Sequence, residues 1–308
     1  MSITRAVLIS IAIALLSVVA SIYVCLCPRF NPKLVNFILF HPIKAAELPD
    51  TVKEIGGCKG QEFRIPVGGS KQRTMDAWFY EKAGAPDVVL YNHGNGGNIS
   101  HRLLNIEGLL ASGRSVFIYD YEGYGKSDGA PSVDGVIDDA TAACDYLVNE
   151  LQYSPEQIVF YGESLGTAIT GHLAGKRKCQ GVVLDAAFIS VEKLGKEKIA
   201  FANVFPSFLF VQPPLDNLAF VSQKHPPLLF IAGKNDHMVP ISHARFLFKN
   251  AMQPKEFAVM PNSGHVLEAP DLEVYSQTLS RFFATLDSTS SKPPAPTSGA
   301  NETPVGPI

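Results

Sequence analysis

Short, uninterrupted apolar runs alternate with amphipathic stretches through the body of the chain, and that alternation limits the fold more than any other feature. VVLYN (88–92), SVFIYDY (115–121), IVFYG (158–162), GVVLDAAF (181–188), PLLFIAG (227–233) and EFAVMP (256–261) read as strands. None alternates apolar with polar residues over its length, so each is expected to be covered on both faces, as the strands of a parallel sheet are. Helical patterns fall between and after them, over 98–112, 132–151, 164–176, 241–252 and 270–286. In the last, Leu272, Tyr275, Leu279, Phe282 and Leu286 recur at helical spacing. Two further strands, 61–66 and 73–80, precede the series, joined by a turn around Gly68–Gly69. The expected class is α/β, a mostly parallel central sheet flanked by helices.

The two ends differ from this body. Residues 6–27 carry no charge, and as a helix they would reach about 33 Å, enough to cross a bilayer core. Arg5 precedes the run, and Arg29 and Lys33 follow it, so the flanking charges give no side of the membrane. A cleaved signal peptide is the competing reading, with Val18 and Ala20 before the cut. The apolar run continues to Cys27, longer than a usual signal core, and favours a retained single-pass anchor. Cys25 and Cys27 close it as candidates for palmitoylation or as plain lipid-facing or core thiols. The organisation read from the chain is an anchor over 1–30, a linker over 31–59, a main domain over 60–286 and a Pro/Ser-rich tail over 287–308, expected to be disordered. Asn98 and Asn301 match the glycosylation sequon by pattern alone.

Composition removes several classes. Of 308 residues 46% are hydrophobic, too many for a disordered chain. A net charge of −3 without a block of Lys or Arg argues against nucleic acid as a partner. The five cysteines are scattered, with no C-x-x-C pair, so no metal site is expected. Gly125-Lys126-Ser127 looks like the end of a phosphate-binding loop, but Asp120 stands where its first glycine is needed. No dinucleotide fingerprint follows a strand, and no cofactor is expected.

The stretch 189–224 breaks the rhythm. It is long for a connection in a compact domain, apolar and punctuated by proline. It reads either as a small cap lining a substrate pocket, with Phe201, Phe205, Phe208 and Phe210 as candidate pocket residues, or as a packed crossover with one helix.

The chemistry concentrates after strand 158–162. Gly162-Glu163-Ser164-Leu165-Gly166 is G-x-S-x-G between a strand and a helix, where small residues permit a sharp turn that presents the serine hydroxyl. Ser164 is the candidate nucleophile. It needs a base, and the base needs an orienting acid. His265 lies in a loop after strand 256–261 and is the candidate base. Asp236, after strand 227–233, is the preferred acid, and Asp185, at the end of VVLD, is its rival. His93 precedes Ser164 and reads as a packing residue, and His237 as a surface one. The glycine-rich loop His93-Gly94-Asn95-Gly96-Gly97-Asn98 lets backbone approach a substrate. The backbone N–H groups of Asn95 and Leu165 are the candidate oxyanion donors.

HGNGGN, DYEGYGKSDG (120–129), GESLGT and the Asp236 and His265 loops resemble the α/β-hydrolase superfamily. The resemblance covers roughly 60–286. It is nearest to single-domain, membrane-anchored serine hydrolases of the abhydrolase-domain (ABHD) type, a group that includes protein depalmitoylases. It implies an α/β-hydrolase fold with a small cap insertion, Ser164 as nucleophile, Asp236 as acid, His265 as base, and Asn95 and Leu165 as the oxyanion hole. Two departures stand out. Glu122 occupies a position where similar sequences often carry Arg, and Val266-Leu267 follow the histidine where Asn-Asp is common.

The expected function is therefore a membrane-anchored serine hydrolase that cleaves ester or thioester bonds of a small-molecule or lipid acyl substrate, an acylated protein included. The alternatives are a peptidase of the same fold and a catalytically inactive binding or scaffold protein.

Overall fold

Strand burial follows the apolar runs. In the computed structural model, which describes residues 3–44, 54–68 and 73–290, every residue of Val88–Asn92, Ser115–Tyr119, Ile158–Glu163 and Leu228–Gly233 is buried. In chain order the elements are helix α1 (Ile3–Leu26), α2 (Pro32–Leu39), strands β1 (His41–Pro42), β2 (Glu54–Ile55), β3 (Cys58–Val67), β4 (Arg73–Tyr80), β5 (Val88–Asn92) and β6 (Gly96–Gly97). Then come α3 (Leu103–Ala111), β7 (Ser115–Tyr119), α4 (Val133–Asn149), β8 (Ile158–Glu163), α5 (Leu165–Ala174), β9 (Gly181–Asp185), α6 (Val191–Lys198) and α7 (Asn217–Val221). The last are β10 (Leu228–Gly233), α8 (Ile241–Asn250), β11 (Lys255–Met260) and α9 (Leu272–Ser290).

Among the described residues, nine strands form one sheet in the order β11-β10-β9-β8-β5-β7-β4-β3-β2. From β7 to β11 every pairing is parallel, and β2, β3 and β4 add an antiparallel edge. Side chains alternate across the pleat. Leu90, Phe117, Phe160, Leu184 and Phe230 therefore pack on one face, against α4, α5 and α8. Tyr91, Ile118, Tyr161, Val183 and Ile231 pack on the other, where Tyr275, Leu279, Phe282 and Leu286 of α9 lie beside α3. Burial of side chains this size contributes about 1.5–3 kcal/mol each before the entropy of ordering is subtracted.

Differences from the sequence reading are local. The 98–112 helix begins as a 3-10 turn at Ile99–Arg102. Strand β11 is only partly buried, because it is the sheet's edge. Helix α9 continues to Ser290, past the point where apolar spacing stops, and the rest of the tail lies outside the described residues. So do Asn301 and part of the turn expected between β3 and β4. Asn98, the other sequon position, is buried and caps the 3-10 turn.

The segment 31–44 is folded against the domain. Asn31 sets the angle between the first two helices: its amide donates to the Cys25 carbonyl at 2.8 Å, and its oxygen accepts from Leu34 N–H at 3.1 Å. Pro32 then starts α2 with a fixed φ. Beyond it, β1 pairs with β6 in the loop after β5. Helix α1 contains Val7–Leu26, long and apolar enough to cross a membrane, with none of that window buried in the domain.

Candidate active site

The turn after β8 is built for close approach. A Cβ at Gly162 would collide with the Gly166 carbonyl, and one at Gly166 with the Asn92 carbonyl, so only glycine lets α5 start this near the sheet. Ser164 sits between them at φ 51°, ψ −116°. A left-handed φ at a non-glycine residue costs about 1–3 kcal/mol and is held by its surroundings. Here Ser164 N–H donates to the Asp185 carbonyl at 2.8 Å, while Thr167 N–H and its hydroxyl donate to the Ser164 carbonyl.

The exit of β10 carries Asp236 toward His265. The Gly233 position abuts the Gly264 carbonyl, with no room for a side chain. Lys234 N–H then donates to the Met260 carbonyl at 2.9 Å and Asn235 N–H to the Ser263 carbonyl at 3.0 Å. These bonds tie the Asp236 turn to the histidine loop. Asp236 Oδ1 accepts from the backbone N–H of Met238 and Val239, both at 2.8 Å. Its Oδ2 lies 2.8 Å from His265 Nδ1. His265 Nε2 lies 2.9 Å from Ser164 Oγ. Burial pushes the Asp236 carboxyl up, but the bonds from His265, Val239 and Met238 outweigh it and hold the carboxyl below its usual range. Asp236 is thus ionised at neutral pH with both oxygens engaged.

Asp185 points elsewhere. Its Oδ2 accepts from Tyr161 OH at 2.5 Å, and Tyr161 OH accepts from Tyr275 OH at 2.8 Å. Desolvation raises its carboxyl to about 7, despite the tyrosine hydrogen bond. His93 is fully buried, its Nδ1 at 2.7 Å from the Gly94 carbonyl and its ring against Tyr121. His237 lies beside the Asp236 turn, where its carbonyl accepts from Lys198 Nζ at 3.3 Å.

Ser164, Leu165 and Asn95 open into one cavity of about 380 Å³. Leu165 is the first residue of α5, where backbone N–H groups have no acceptor within the helix. The cavity wall is apolar and comes from three places: the end of α1 and α2 (Leu26, Leu34, Ile38), the 189–224 segment (Val191, Ile199, Phe210) and the Asp236 turn (Met238, Val239). Of the four candidate pocket phenylalanines, Phe201 and Phe210 line it. Phe205 and Phe208 do not. Phe205 is buried against Tyr23 of α1, ring centroids 4.7 Å apart, and Phe208 projects outward, 73% exposed. The 3-10 turns at Ala200–Val204 and Ser207–Leu209 rotate successive aromatics onto different faces, which their shared chemistry could not reveal.

Sequence reasoning missed several supports. Leu34, Val35, Ile38 and Leu39 lie in a segment read as linker, yet they wall the cavity. That segment also holds the loop after β5: Asn95 Nδ2 donates to the Leu39 carbonyl at 3.1 Å, and His41 N–H to the Asn95 carbonyl at 3.2 Å. Arg102 bridges loop and turn, with Nε 2.7 Å from Glu163 Oε2 and Nη2 donating to the Gly96 carbonyl at 2.8 Å. Asp271, fully buried, accepts from the backbone and side chains of Asn262 and Ser263 and fixes the loop before His265. Only α2 left a signal: Asn31-Pro32 followed by an apolar pattern is a helix start. Arg102 and Asp271 depend on long-range contacts.

Known proteins resemble this chain at two levels. The family model for serine aminopeptidases of the S33 type matches residues 84–225. An uncharacterised protein of Mycobacterium tuberculosis is 33% identical over 193 residues, 62% of this chain and 68% of the relative. The protein YfhR of Escherichia coli is 28% identical over 251 residues, 79% of this chain and 84% of its own length. The chain belongs to the α/β-hydrolase superfamily. In structure, an esterase of Pyrococcus furiosus superposes with a TM-score of 0.65 at 19% identity, covering 80% of this chain and 98% of the esterase. An esterase domain from Rhodothermus marinus gives 0.56 at 17%, covering 73% and 97%. These likenesses show the fold.

The two departures from related hydrolases are accommodated internally. Glu122 accepts from Ser132 Oγ at 2.5 Å and lies 3.5 Å from Arg73 Nε, so it belongs to a largely buried ion pair. Val266 is exposed and Leu267 packs on the α9 side of the sheet. Among the described residues no cluster of His, Cys, Asp or Glu is disposed to hold a metal ion.

Proposed function

We propose that this α/β-hydrolase is a membrane-anchored serine hydrolase of acyl esters or thioesters. The observation that carries the reading is the pair of contacts, Ser164 Oγ to His265 Nε2 at 2.9 Å and His265 Nδ1 to Asp236 Oδ2 at 2.8 Å, at the base of an apolar cavity. Ser164 attacks the substrate carbonyl while His265 Nε2 accepts its proton. Asp236 fixes the tautomer and stabilises the imidazolium. The tetrahedral oxyanion accepts hydrogen bonds from the backbone N–H groups of Asn95 and Leu165. His265 returns the proton to the departing alcohol or thiol, leaving an acyl-enzyme on Ser164. Water, deprotonated by His265, attacks that acyl carbon, and collapse of the second intermediate releases the acid and restores Ser164.

The matching family model carries the description of an aminopeptidase, which makes amide cleavage at a free N-terminus the second reading. The cavity chemistry favours the first. An α-ammonium group needs a carboxylate partner, whereas among the described residues that line the cavity the charged one is Lys198, a cation. An acyl chain needs only apolar wall, and the cavity of about 380 Å³ supplies it.

The test is Ser164→Ala, assayed on p-nitrophenyl esters, acyl-CoA thioesters and aminoacyl anilides alongside labelling by a fluorophosphonate. The parent is expected to label and to hydrolyse acyl substrates, and the variant to lose labelling and about 10⁴–10⁶ in kcat with the fold intact. Near-normal hydrolysis by the variant overturns the reading. Anilide cleavage without ester cleavage transfers it to the peptidase.

A further inference from the structure

The anchor does more than tether the domain; it ends at the substrate cavity. Leu26 and Pro28 line the cavity themselves. Cys27 is buried with Ala202, Phe205 and Phe210 of the 189–224 segment, and Arg29 N–H donates to the Leu209 carbonyl at 2.8 Å. The Tyr23–Phe205 contact lies one helical turn further back along α1. The segment over the cavity therefore grips the last turn of the helix that is apolar enough to span. If α1 crosses the bilayer, that last turn sits where acyl chains meet head groups, and the cavity mouth is there too.

The surface around the mouth matches that location. Phe37 (78% exposed) on α2, Phe30 (62%) in the turn before it, Phe208 (73%), Val204 (61%) and Phe201 (43%) on the 189–224 segment and Met238 (57%) on the Asp236 turn project outward. Exposed Phe30 and Phe37 share this short region with the exposed cations Arg29 and Lys33. Aromatic side chains at the head-group level beside Lys and Arg are the pattern of a segment lying in a membrane interface. In water the same surface would be an exposed apolar patch without a partner.

We propose that the outer faces of α2 and of the 189–224 segment dip into the lipid surface that holds α1, so that a substrate's acyl chain passes from the bilayer into the cavity without crossing water. The proposal rests on the reading of α1 as a membrane anchor and of Ser164 as an acyl-ester nucleophile. Each methylene that leaves lipid for water loses its apolar surroundings, and a path between Leu26, Ile38 and Phe201 keeps them. The occupant of the collar is thus a lipid bilayer.

The experiment uses the full chain in phosphatidylcholine vesicles. Phe37→Trp and Phe208→Trp are introduced singly, and their fluorescence is compared in plain lipid and in lipid brominated on the acyl chains, after subtraction of buried Trp78 measured in the parent. Both new tryptophans are expected to be quenched. If the protein withstands a carbonate wash yet neither is quenched, the collar is overturned and the anchor stands. If the wash removes the protein, the anchor reading fails and the proposal with it.

A second arm reads turnover with the double variant Phe37→Asp, Val204→Asp. On water-soluble p-nitrophenyl butyrate its kcat/KM is expected to stay within about twofold of the parent, while hydrolysis of a long-chain acyl ester in the bilayer falls about tenfold or more, because a carboxylate resists entering lipid. Equal losses on both substrates, or no loss on either, overturn the collar. A parent that hydrolyses neither ester refutes the hydrolase reading instead.

Discussion

Two aspartates close neighbouring parallel strands, Asp185 on β9 and Asp236 just beyond β10, and only Asp236 meets the imidazole. Both strands end at the same edge of the sheet, so strand order alone would admit either. What separates them is the loop to which each exit is tied. β10 leaves through Gly233 onto the Gly264 carbonyl, and two backbone bonds then tie Lys234 and Asn235 to the histidine loop. β9 leaves toward the Ser164 turn, giving its carbonyl to Ser164 N–H and its carboxylate to Tyr161. One carboxylate is depressed by donors around it, and the other is raised by burial with a single tyrosine donor. The difference teaches that which aspartate meets the imidazole is decided by the stitching of loops more than by the strand that delivers it.

The most forceful way to break this comparison is kinetic. On the proposed reading, Asp236→Asn keeps the shape but offers the wrong hydrogen bond to His265 Nδ1, and kcat is expected to fall about 10⁴-fold. Asp185→Asn touches neither imidazole nor serine side chain and should leave kcat within about tenfold of the parent. Single-turnover assays with a soluble short-chain ester measure both. The reverse pattern would move the acid to Asp185 while leaving the nucleophile in place.

That contrast also marks how much of the molecule was legible in the chain. The sheet was readable because β5, β7, β8 and β10 are buried on both faces, and their composition says so without reference to any partner. The Ser164 turn was readable because its glycines are required by contacts within a few residues and the adjoining strand. Preferring Asp236 to Asp185 rested on the expectation that the loop after strand 227–233 lies nearer the histidine loop, since both fit the order Ser, Asp, His and no local feature distinguishes D-A-A from N-D-H. The cavity wall was least legible. Phe201, Phe205, Phe208 and Phe210 look alike in sequence, yet two line the cavity, one grips α1 and one faces outward. Eight residues of α2 were too short a pattern to stand out from a linker, and their role depends on the loop after β5, more than fifty residues away.

A second way to sharpen the comparison is stability against pH. Asp185 is protonated more readily in the folded chain, at about 7, than in the unfolded chain, at about 3.9. A raised carboxyl binds more protons folded than unfolded, so the contribution of Asp185 to stability falls as pH rises from about 4 to 7 and is level outside that window. Asp236 has the opposite sign: its contribution is present above the unfolded value and is lost as pH falls through the folded one. Asp185→Asn should therefore gain on the parent between pH 5 and pH 8. Because Asp185 is only partly buried, the expected gain is about 2 kcal/mol, less than full linkage would give. Denaturant titrations of the detergent-solubilised chain at the two pH values measure it. A gain of equal size at both would show that Asp185 is ionised throughout.

The smallest effect comes from the tyrosine that keeps Asp185 occupied. Tyr161→Phe removes the donor to Asp185 Oδ2 and the acceptor of the buried Tyr275 hydroxyl, with little change of volume. Loss of those bonds should cost about 1 kcal/mol at pH 5. The Tyr161 hydroxyl favours the ionised carboxylate, so without it the Asp185 carboxyl rises further and its window extends upward. The variant is then expected to lose more stability at pH 8 than at pH 5, opposite in sign to Asp185→Asn. Its kcat should stay within about threefold of the parent, because Asp236 still holds His265. A hundredfold fall in kcat with a displaced pH–rate profile would show instead that the Tyr275–Tyr161–Asp185 chain orients the imidazole, and that the two aspartates act on it together.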